Sequence, residues 1–235
     1  MKAMILAAGV GSRLRPLTDT TPKALIEVNG VAMIELTARR LQAAKAVSLV
    51  VNVHHHADKV VAFCSSLSTK LGIPIAVSRE DDLLLDTGGG LKKALSLLDA
   101  SEPFLVHNVD VLSDLDLSAL YAAHESSGAL ATLAVRRRPT TRPLRFSPDG
   151  KLLGRAPKGE KGLQFCGIYV LSPEIFELIT ETGVFSITDV FVRLASAGAD
   201  IRSFPCDSAY WADIGDPEKL TLARKYAAAH PELTR

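Results

Sequence analysis

The segment from Lys2 to Lys23 carries residue types that together could bind a polyphosphate. The apolar run Ala3–Ala7 leads into Gly9 and Gly11, and the cations Arg13 and Lys23 follow. An apolar run that ends in glycines is typical of a strand followed by a tight loop, whose backbone N–H groups can approach a ligand closely. Exposed amides and two positive charges attract the anionic oxygens of a phosphate chain. The segment therefore predicts a phosphate-binding loop at the end of a strand.

Two other phosphate-binding motifs do not fit this segment. The dinucleotide fingerprint requires a third glycine three residues after the second, where this chain has Leu14. The phosphate loop of ATPases requires Gly-Lys-Ser/Thr, and that tripeptide does not follow. Neither NAD binding nor a conventional ATPase is favoured. A plain turn at Gly9 and Gly11 is the alternative, but a plain turn does not require Arg13 and Lys23.

A carboxylate lies at the end of another apolar run. The run Pro103–Asp110 ends in Asn108, Val109 and Asp110. In a parallel sheet, ligands collect at the carboxyl ends of the strands, so Asp110 would face the phosphate-binding loop. Carboxylate oxygens are the ligands that hard cations such as Mg²⁺ prefer. Asp110 is therefore a candidate Mg²⁺ ligand.

Apolar runs of strand length alternate with stretches of helical periodicity along most of the chain. The predicted strands are 3–7, 24–28, 48–53, 73–78, 103–110, 129–135, 164–171 and 201–205. The predicted helices are 33–44, 58–71, 91–98, 117–127, 173–180, 190–197 and 217–229. This alternation predicts an α/β fold with a mostly parallel, doubly wound, Rossmann-like mixed sheet.

A run of three glycines follows the predicted strand 73–78. Gly88, Gly89 and Gly90 come after Asp86 and Thr87, and they would fall on the same sheet edge as the first loop. Consecutive glycines allow backbone to approach a flat nucleotide base without obstruction by side chains. The alternative is an ordinary loop before the next helix.

Composition limits the classes of function. With 235 residues, of which 47% are hydrophobic and 23% charged, the chain suits one α/β domain spanning residues 1–235. A net charge of +1 gives no basis for nucleic-acid binding. Three widely spaced cysteines fit neither a disulfide framework nor a CxxC metal site, so a reducing cytoplasm is expected. No apolar run approaches the roughly 18 residues of a membrane span. The three adjacent histidines His54-His55-His56 are predicted to lie in a loop rather than to bind a metal ion.

The segment Leu6–Thr18, LAAGVGSRLRPLT, together with Pro22-Lys23, resembles the signature of the sugar-phosphate nucleotidylyltransferases. Three later segments resemble family elements: Asn108-Val109-Asp110, Gly167-Ile168 and Tyr210–Pro217. The resemblance covers nearly the whole chain. It implies an enzyme that joins a nucleoside triphosphate to a sugar 1-phosphate and releases pyrophosphate. No hexapeptide repeats follow, so the β-helix acyltransferase domain of some relatives is not expected.

The resemblance also implies roles for individual residues. Arg13 would hold the leaving pyrophosphate and Lys23 the α-phosphate, while Asp110 and Asp213 would bind Mg²⁺. Asn108 and Gly167 would contact the sugar substrate. The nucleotide would be contacted by residues of the two glycine-containing segments, namely Leu6, Ala7, Ala8, Gly9, Gly11, Ser12, Arg13, Lys23, Gly88 and Gly89.

The choice of substrate stays open at this point. The length and the segment LLLDTGGG look most similar to N-acetylmuramate 1-phosphate uridylyltransferases of cell-wall recycling, which use UTP. Mannose or heptose 1-phosphate guanylyltransferases, which use GTP, are the alternative, and a non-catalytic nucleotide-sugar-binding subunit is a third. Arg142 and Arg145, in the arginine-rich segment 136–145, could bind an anionic group on the sugar or could belong to a solvated loop. The sequence does not predict the oligomeric state.

Overall fold

The computed structural model describes residues 1–98 and 101–234, in which strands and helices alternate. The strands are β1 (Lys2–Leu6), β2 (Glu27–Val28), β3 (Val31–Ala32), β4 (Ser48–Val53), β5 (Ile75–Arg79), β6 (Phe104–Asn108), β7 (Val111–Ser113), β8 (Ala131–Arg136), β9 (Leu144–Phe146), β10 (Leu152–Arg155), β11 (Gln164–Leu171), β12 (Ile201–Pro205) and β13 (Trp211–Asp213). The α-helices are α1 (Met33–Ala43), α2 (Ala57–Leu71), α3 (Asp86–Lys93), α4 (Leu95–Leu98), α5 (Leu117–Ser127), α6 (Ile175–Leu178), α7 (Ile187–Ser196) and α8 (Pro217–Ala229).

A seven-stranded sheet forms the centre of the molecule, in the order β12-β8-β11-β6-β1-β4-β5. All neighbouring strands in it are parallel except β11, which runs antiparallel to both β6 and β8. The predicted α/β fold with a mostly parallel mixed sheet is confirmed.

Both faces of the central strands of this sheet are buried, which explains why β1, β4 and β6 are mostly apolar. In β1, Ala3 and Ile5 belong to one core cluster, whereas Met4 and Leu6 belong to the other. The first cluster includes residues of α1, α2, α5 and α8, and the second includes residues of α3, α4, α6 and α7. The sheet is therefore doubly wound. Among the described residues, no helix is both long and apolar enough to cross a membrane.

The carboxyl ends of the parallel strands β4, β1 and β6 lie at one edge of the sheet. Leu6 at the end of β1 pairs with Asn52 of β4 and with Asn108 of β6. Beside this edge, the short strand β13 pairs with β7, and Asp213 lies opposite Val111. The main chain of Asp110 accepts a hydrogen bond of 2.8 Å from the Ile214 N–H. These pairings bring the loops after β1, β6 and β13 together.

Several predicted boundaries were wrong. The segment 24–28 is not one strand: a 3₁₀ turn, Lys23–Leu25, precedes the two-residue β2, which pairs with β3 around Asn29-Gly30. The helix predicted at 173–180 is only the four-residue α6. The glycine run is not a loop before a helix, because α3 begins at Asp86 and includes all three glycines.

Candidate active site

A pocket of about 340 Å³, here called the Lys23 pocket, opens at the carboxyl edge of the sheet. It is lined by Leu6, Ala8, Gly9, Lys23, Asn52, Leu84, Asp86, Thr87, Asn108, Val109, Asp110 and Val184. Apart from its two neighbours in the chain, no described residue has an atom within 4 Å of the position that a Cβ would take at Gly9, and Gly9 is exposed. The backbone of the loop after β1 is thus accessible at Gly9, and its contact with a nucleotide stays a prediction.

A buried polar network fixes the floor of the Lys23 pocket. The side chain of Asn52 accepts a hydrogen bond from the Ala7 N–H (2.8 Å) and donates one to Glu80 Oε1 (2.7 Å). The other carboxylate oxygen of Glu80 accepts a hydrogen bond from the Leu85 N–H at 2.8 Å. Asn52 and Glu80 are buried, so both hydrogen bonds of Asn52 are made away from water, whereas the one from Leu85 is partly buried. The network ties the loop after β1 to the loop after β5.

Lys23 and Asp110 form an ion pair on the wall of the Lys23 pocket. The Nζ atom of Lys23 is hydrogen-bonded to Asp110 Oδ2, and the lysine side chain is only 10% exposed. The stem of Lys23 packs against Gly11, since a Cβ at Gly11 would lie 3.2 Å from Lys23 Cβ and 2.9 Å from Thr18 Cγ2. Gly11 also has a φ of +70°, a conformation that favours glycine.

A second pocket, here called the Gly167 pocket, adjoins the first and has a volume of about 270 Å³. It is lined by Arg13, Asn108, Asp110, Val111, Phe165, Cys166, Gly167, Trp211, Asp213 and Lys219. Asn108 and Asp110 line both pockets. The two pockets therefore meet at the carboxyl end of β6.

Gly167 allows Asn108 to occupy this junction. A Cβ at Gly167 would lie 2.6 Å from Asn108 Nδ2, and the φ of Gly167 is +72°.

Trp211, which also lines the Gly167 pocket, is held from two sides. Its Nε1–H donates to the main-chain oxygen of Cys166 at 2.9 Å, and the buried Arg136 guanidinium lies 5.5 Å from its ring centroid.

Asp213 and Arg13 approach each other across Gly215. A Cβ at Gly215 would lie 2.7 Å from Asp213 Oδ1 and 2.8 Å from Arg13 Nη2, so only glycine leaves room for both groups. The Nζ atom of Lys219 lies 2.8 Å from each carboxylate oxygen of Asp213. The sequence interpretation missed Lys219, because no motif sets it apart from the other lysines of the chain.

The donor set at the junction fits Mg²⁺. Asp110 and Asp213 line one pocket, and the buried Oδ1 atom of Asn108 there has no hydrogen-bond partner. Magnesium is commonly held by one or two carboxylates together with substrate phosphates, so two are sufficient. Within residues 1–98 and 101–234, no group of three or more His, Cys, Asp or Glu side chains could hold a metal ion. The three adjacent histidines instead contact backbone carbonyl oxygens, His54 that of Glu80 at 2.6 Å.

A neutral histidine lies behind the junction. His107 is fully buried, and its Nδ1 atom lies 2.8 Å from the main-chain oxygen of Asn108. Burial, together with the nearby Arg40 guanidinium, lowers the pKa of His107 to about 4. His107 therefore adds no positive charge behind the site near neutral pH.

Two predicted nucleotide contacts, Gly88 and Gly89, pack against protein. A Cβ at Gly88 would lie 2.4 Å from the Phe185 ring, and one at Gly89 would lie 2.4 Å from the Gly183 carbonyl oxygen. The argument that these glycines clear space for a base was wrong, because they clear space for the segment that precedes α7. Residues that do line the pocket here are Leu84, Asp86 and Thr87.

Four other residues that the sequence predicted to bind substrate do not line either of the two pockets. The Ala7 N–H is already bonded to Asn52, and Ser12 is exposed in a 3₁₀ turn and lines neither pocket. Arg145 is exposed on β9. Arg142 is exposed too, but it lines a smaller cavity together with Phe165, which also lines the Gly167 pocket. The roles of these residues stay predictions.

Residues 2–229 match the family described as nucleotidyl transferase. The chain belongs to the nucleotidyl transferase family. Its membership confirms the predicted family resemblance, and with it the prediction of an enzyme rather than a non-catalytic binding subunit.

Among the relatives of this nucleotidyl transferase are two enzymes named N-acetylmuramate alpha-1-phosphate uridylyltransferase. The one from Caulobacter vibrioides is 35% identical, and the match covers 97% of each chain. The one from Neisseria meningitidis is 34% identical, over 97% of this chain and 99% of the relative. A solved structure of UDP-glucose pyrophosphorylase from Acinetobacter baumanii superposes with a TM-score of 0.83 at 22% identity, covering 99% of this chain and 95% of that one, which supports the fold.

Proposed function

We propose that this nucleotidyl transferase joins UTP to N-acetylmuramate 1-phosphate, giving a nucleotide sugar and pyrophosphate. The observation that carries the proposal is the junction of the two pockets at Asn108 and Asp110. A nucleotide in the Lys23 pocket and a sugar phosphate in the Gly167 pocket would meet there. The two relatives that match over nearly their full length carry this activity in their names, which supports the choice of sugar and nucleotide.

The chain's own residues would act mainly by positioning and by stabilising charge. The sugar phosphate is already ionised, so its oxygen can attack the α-phosphorus without a general base. Lys23 would bind the α-phosphate oxygens, where charge is redistributed in the transition state. Arg13 lines the Gly167 pocket and would reach across the junction at Asp110 to hold the leaving pyrophosphate, assisted by the backbone N–H groups of Gly9 and Gly11. Gly167 and Asn108 would orient the sugar.

Asp110 and Asp213 would together hold a Mg²⁺ ion. When bound, the ion supplies positive charge that neutralises the phosphate oxygens of both reactants. Cytoplasmic location and a single domain remain part of the proposal, as does the role of the enzyme in cell-wall precursor recycling.

A matrix of substrates tests the proposal. Pyrophosphate release is measured with UTP, GTP, CTP, ATP and dTTP, each combined with the 1-phosphates of N-acetylmuramate, N-acetylglucosamine, glucose and mannose. We expect the highest kcat/KM with UTP and N-acetylmuramate 1-phosphate. Turnover with GTP and mannose 1-phosphate, but not with this pair, would replace the proposal by the guanylyltransferase alternative.

A further inference from the structure

Lys219 is a second cation in the Gly167 pocket besides Arg13. It lies in the first turn of α8, and its Nζ atom bonds both carboxylate oxygens of Asp213 at 2.8 Å. Its distance to Asp216 Oδ2 is 3.8 Å. Lys219 thus occupies one of the two carboxylates that the proposed function assigns to Mg²⁺.

The ammonium group of Lys219 can change partners while its backbone stays in place. Asp216 is the N-cap of α8, and its Oδ1 atom accepts a hydrogen bond of 3.0 Å from the Lys219 N–H. The Lys219 side chain is 43% exposed. A lysine ammonium is a compact charge with three donors on a flexible four-carbon stem. Its movement within the pocket would therefore leave the helix unchanged.

A divalent cation on Asp213 would compete with Lys219 for the same carboxylate oxygens and would repel its ammonium group. Because a divalent cation carries twice the charge of the ammonium, it would displace the ammonium from the carboxylate. The released ammonium then faces the same pocket, in which a sugar 1-phosphate would be bound. Lys219 lines the Gly167 pocket and not the Lys23 pocket, so its reach is to the sugar side of the junction.

We propose that Lys219 is a ligand of the sugar 1-phosphate, exchanging Asp213 for the phosphate oxygens when the divalent cation binds. The inference rests on the proposed function. Other lysines are less well placed: Lys161 lines a separate cavity of about 710 Å³ with Arg137 and Arg138, and Lys158 is exposed. Neither of them lines the Gly167 pocket.

The first test is steady-state kinetics of Lys219→Met, which keeps most of the stem and removes the charge. Loss of a charge-assisted hydrogen bond should raise the KM for the sugar 1-phosphate about 10- to 100-fold. The KM for UTP should change by less than about threefold. Lys225→Met is the matched control, because Lys225 is exposed on the same helix and lines neither pocket. It should leave both KM values unchanged.

The second test does not depend on turnover. Binding of Mn²⁺ to the protein without substrates is measured by electron paramagnetic resonance. Lys219→Met frees Asp213 from a partly exposed ion pair, so Mn²⁺ should bind about two- to fivefold more tightly than to the wild-type chain. Lys225→Met should bind Mn²⁺ as the wild type does.

The outcomes separate this inference from the proposed function. A folded Lys219→Met variant with an unchanged KM for the sugar 1-phosphate, or with equal losses for both substrates, overturns the inference. Unchanged Mn²⁺ affinity also overturns it, even if no sugar 1-phosphate is turned over. Absence of turnover by the wild-type chain on every pair instead rejects the proposed function. If Lys219→Met does not fold, Lys219→Arg is measured instead. This variant keeps the positive charge and should retain binding of the sugar 1-phosphate. Loss of that binding in Lys219→Arg would count against the inference.

Discussion

Each acidic residue proposed to bind Mg²⁺ is paired with a lysine, Asp110 with Lys23 and Asp213 with Lys219. These pairs keep half-buried carboxylates compensated when no ligand is bound, which limits their electrostatic cost. Arg13 has no ion-pair partner among residues 1–98 and 101–234, so its charge is available to an anionic ligand. The site therefore presents a positive charge that an anionic phosphate can bind.

Gly167→Ala tests whether Asn108 must occupy the junction. The new Cβ would displace Asn108, so kcat/KM for the sugar 1-phosphate should fall at least about tenfold. Gly198→Ala is the control, because Gly198 has a similar positive φ of +89° but nothing within 4 Å of its Cβ position. Both variants should lose about 1–2 kcal/mol of stability in urea unfolding from backbone strain. Equal kinetics for the two would show that Asn108 has no role in substrate binding.

Arg142→Ala tests how the lactyl carboxylate of N-acetylmuramate is recognised. Arg142 lines a small cavity next to Phe165, and Phe165 also lines the Gly167 pocket. Arg145 on β9 lines neither the Lys23 pocket nor the Gly167 pocket. We expect Arg142→Ala to lose roughly 1–3 kcal/mol, about 5- to 150-fold in kcat/KM, on N-acetylmuramate 1-phosphate and little on N-acetylglucosamine 1-phosphate. Arg145→Ala should behave as the wild type. Equal losses on both sugars would make Arg142 a general phosphate contact.

At the scale of elements, the strands and helices with strong periodicity were predicted well. The boundaries of β4, α5, β11, β12 and α8 agree with the sequence prediction to the residue. The part of α3 before Leu91 was not predicted, because glycine has low helix propensity and three in a row indicate a loop. Tertiary packing decides instead: each glycine removes a Cβ that would collide with another segment. The periodicity of a sequence contains no information about such long-range contacts.

Gly90→Ala distinguishes helix propensity from packing. Propensity alone predicts that alanine stabilises α3 by about 1 kcal/mol. Packing predicts the opposite, because the new Cβ would lie 2.6 Å from both Asn52 Nδ2 and Glu80 Oε1. We expect a loss of about 1–3 kcal/mol in urea unfolding, and a raised KM for the nucleotide, since Asn52 holds Ala7. A stabilised variant would show that the polar network tolerates the methyl group.

At the scale of the molecule, the doubly wound architecture was predictable because buried parallel strands are apolar on both faces. The convergence of Asp110 and Asp213 was expected only from the family resemblance, since 103 positions of sequence separate them. The pairing of β7 with β13 is what joins them. Cys166 and Cys206 are likewise distant in sequence, and the fold brings their sulfur atoms to 3.4 Å from each other. Both are free thiols and buried, as is Cys64.

Two buried histidines predict how the stability of the whole molecule depends on pH. Burial lowers the pKa of His107 and of His124 to about 4, from about 6.5 in the unfolded chain. Below pH 6.5 the unfolded state takes up protons that the folded state does not. The stabilisation is therefore complete above pH 6.5 and is lost as the pH falls towards 4, by roughly 2–4 kcal/mol per histidine.

Urea unfolding at pH 7 and at pH 5, at constant ionic strength, measures this dependence. His124→Gln keeps polar atoms near Thr132 and Ser172, its hydrogen-bond partners, but does not titrate. The variant should therefore lose less stability between the two pH values than the wild type does. An equal loss in both proteins would contradict the burial argument for His124.

The central claim is that a sugar phosphate attacks the α-phosphorus of a nucleotide held beside Lys23 and Asp110. The most direct measurement follows the fate of ³²P from UTP labelled at the α or the γ position, with N-acetylmuramate 1-phosphate and Mg²⁺. We predict that the α label enters the nucleotide sugar and the γ label enters pyrophosphate, with both transfers at least about 100-fold slower in Asp110→Asn. Transfer of the γ label to the sugar, or its release as inorganic phosphate, would contradict the account.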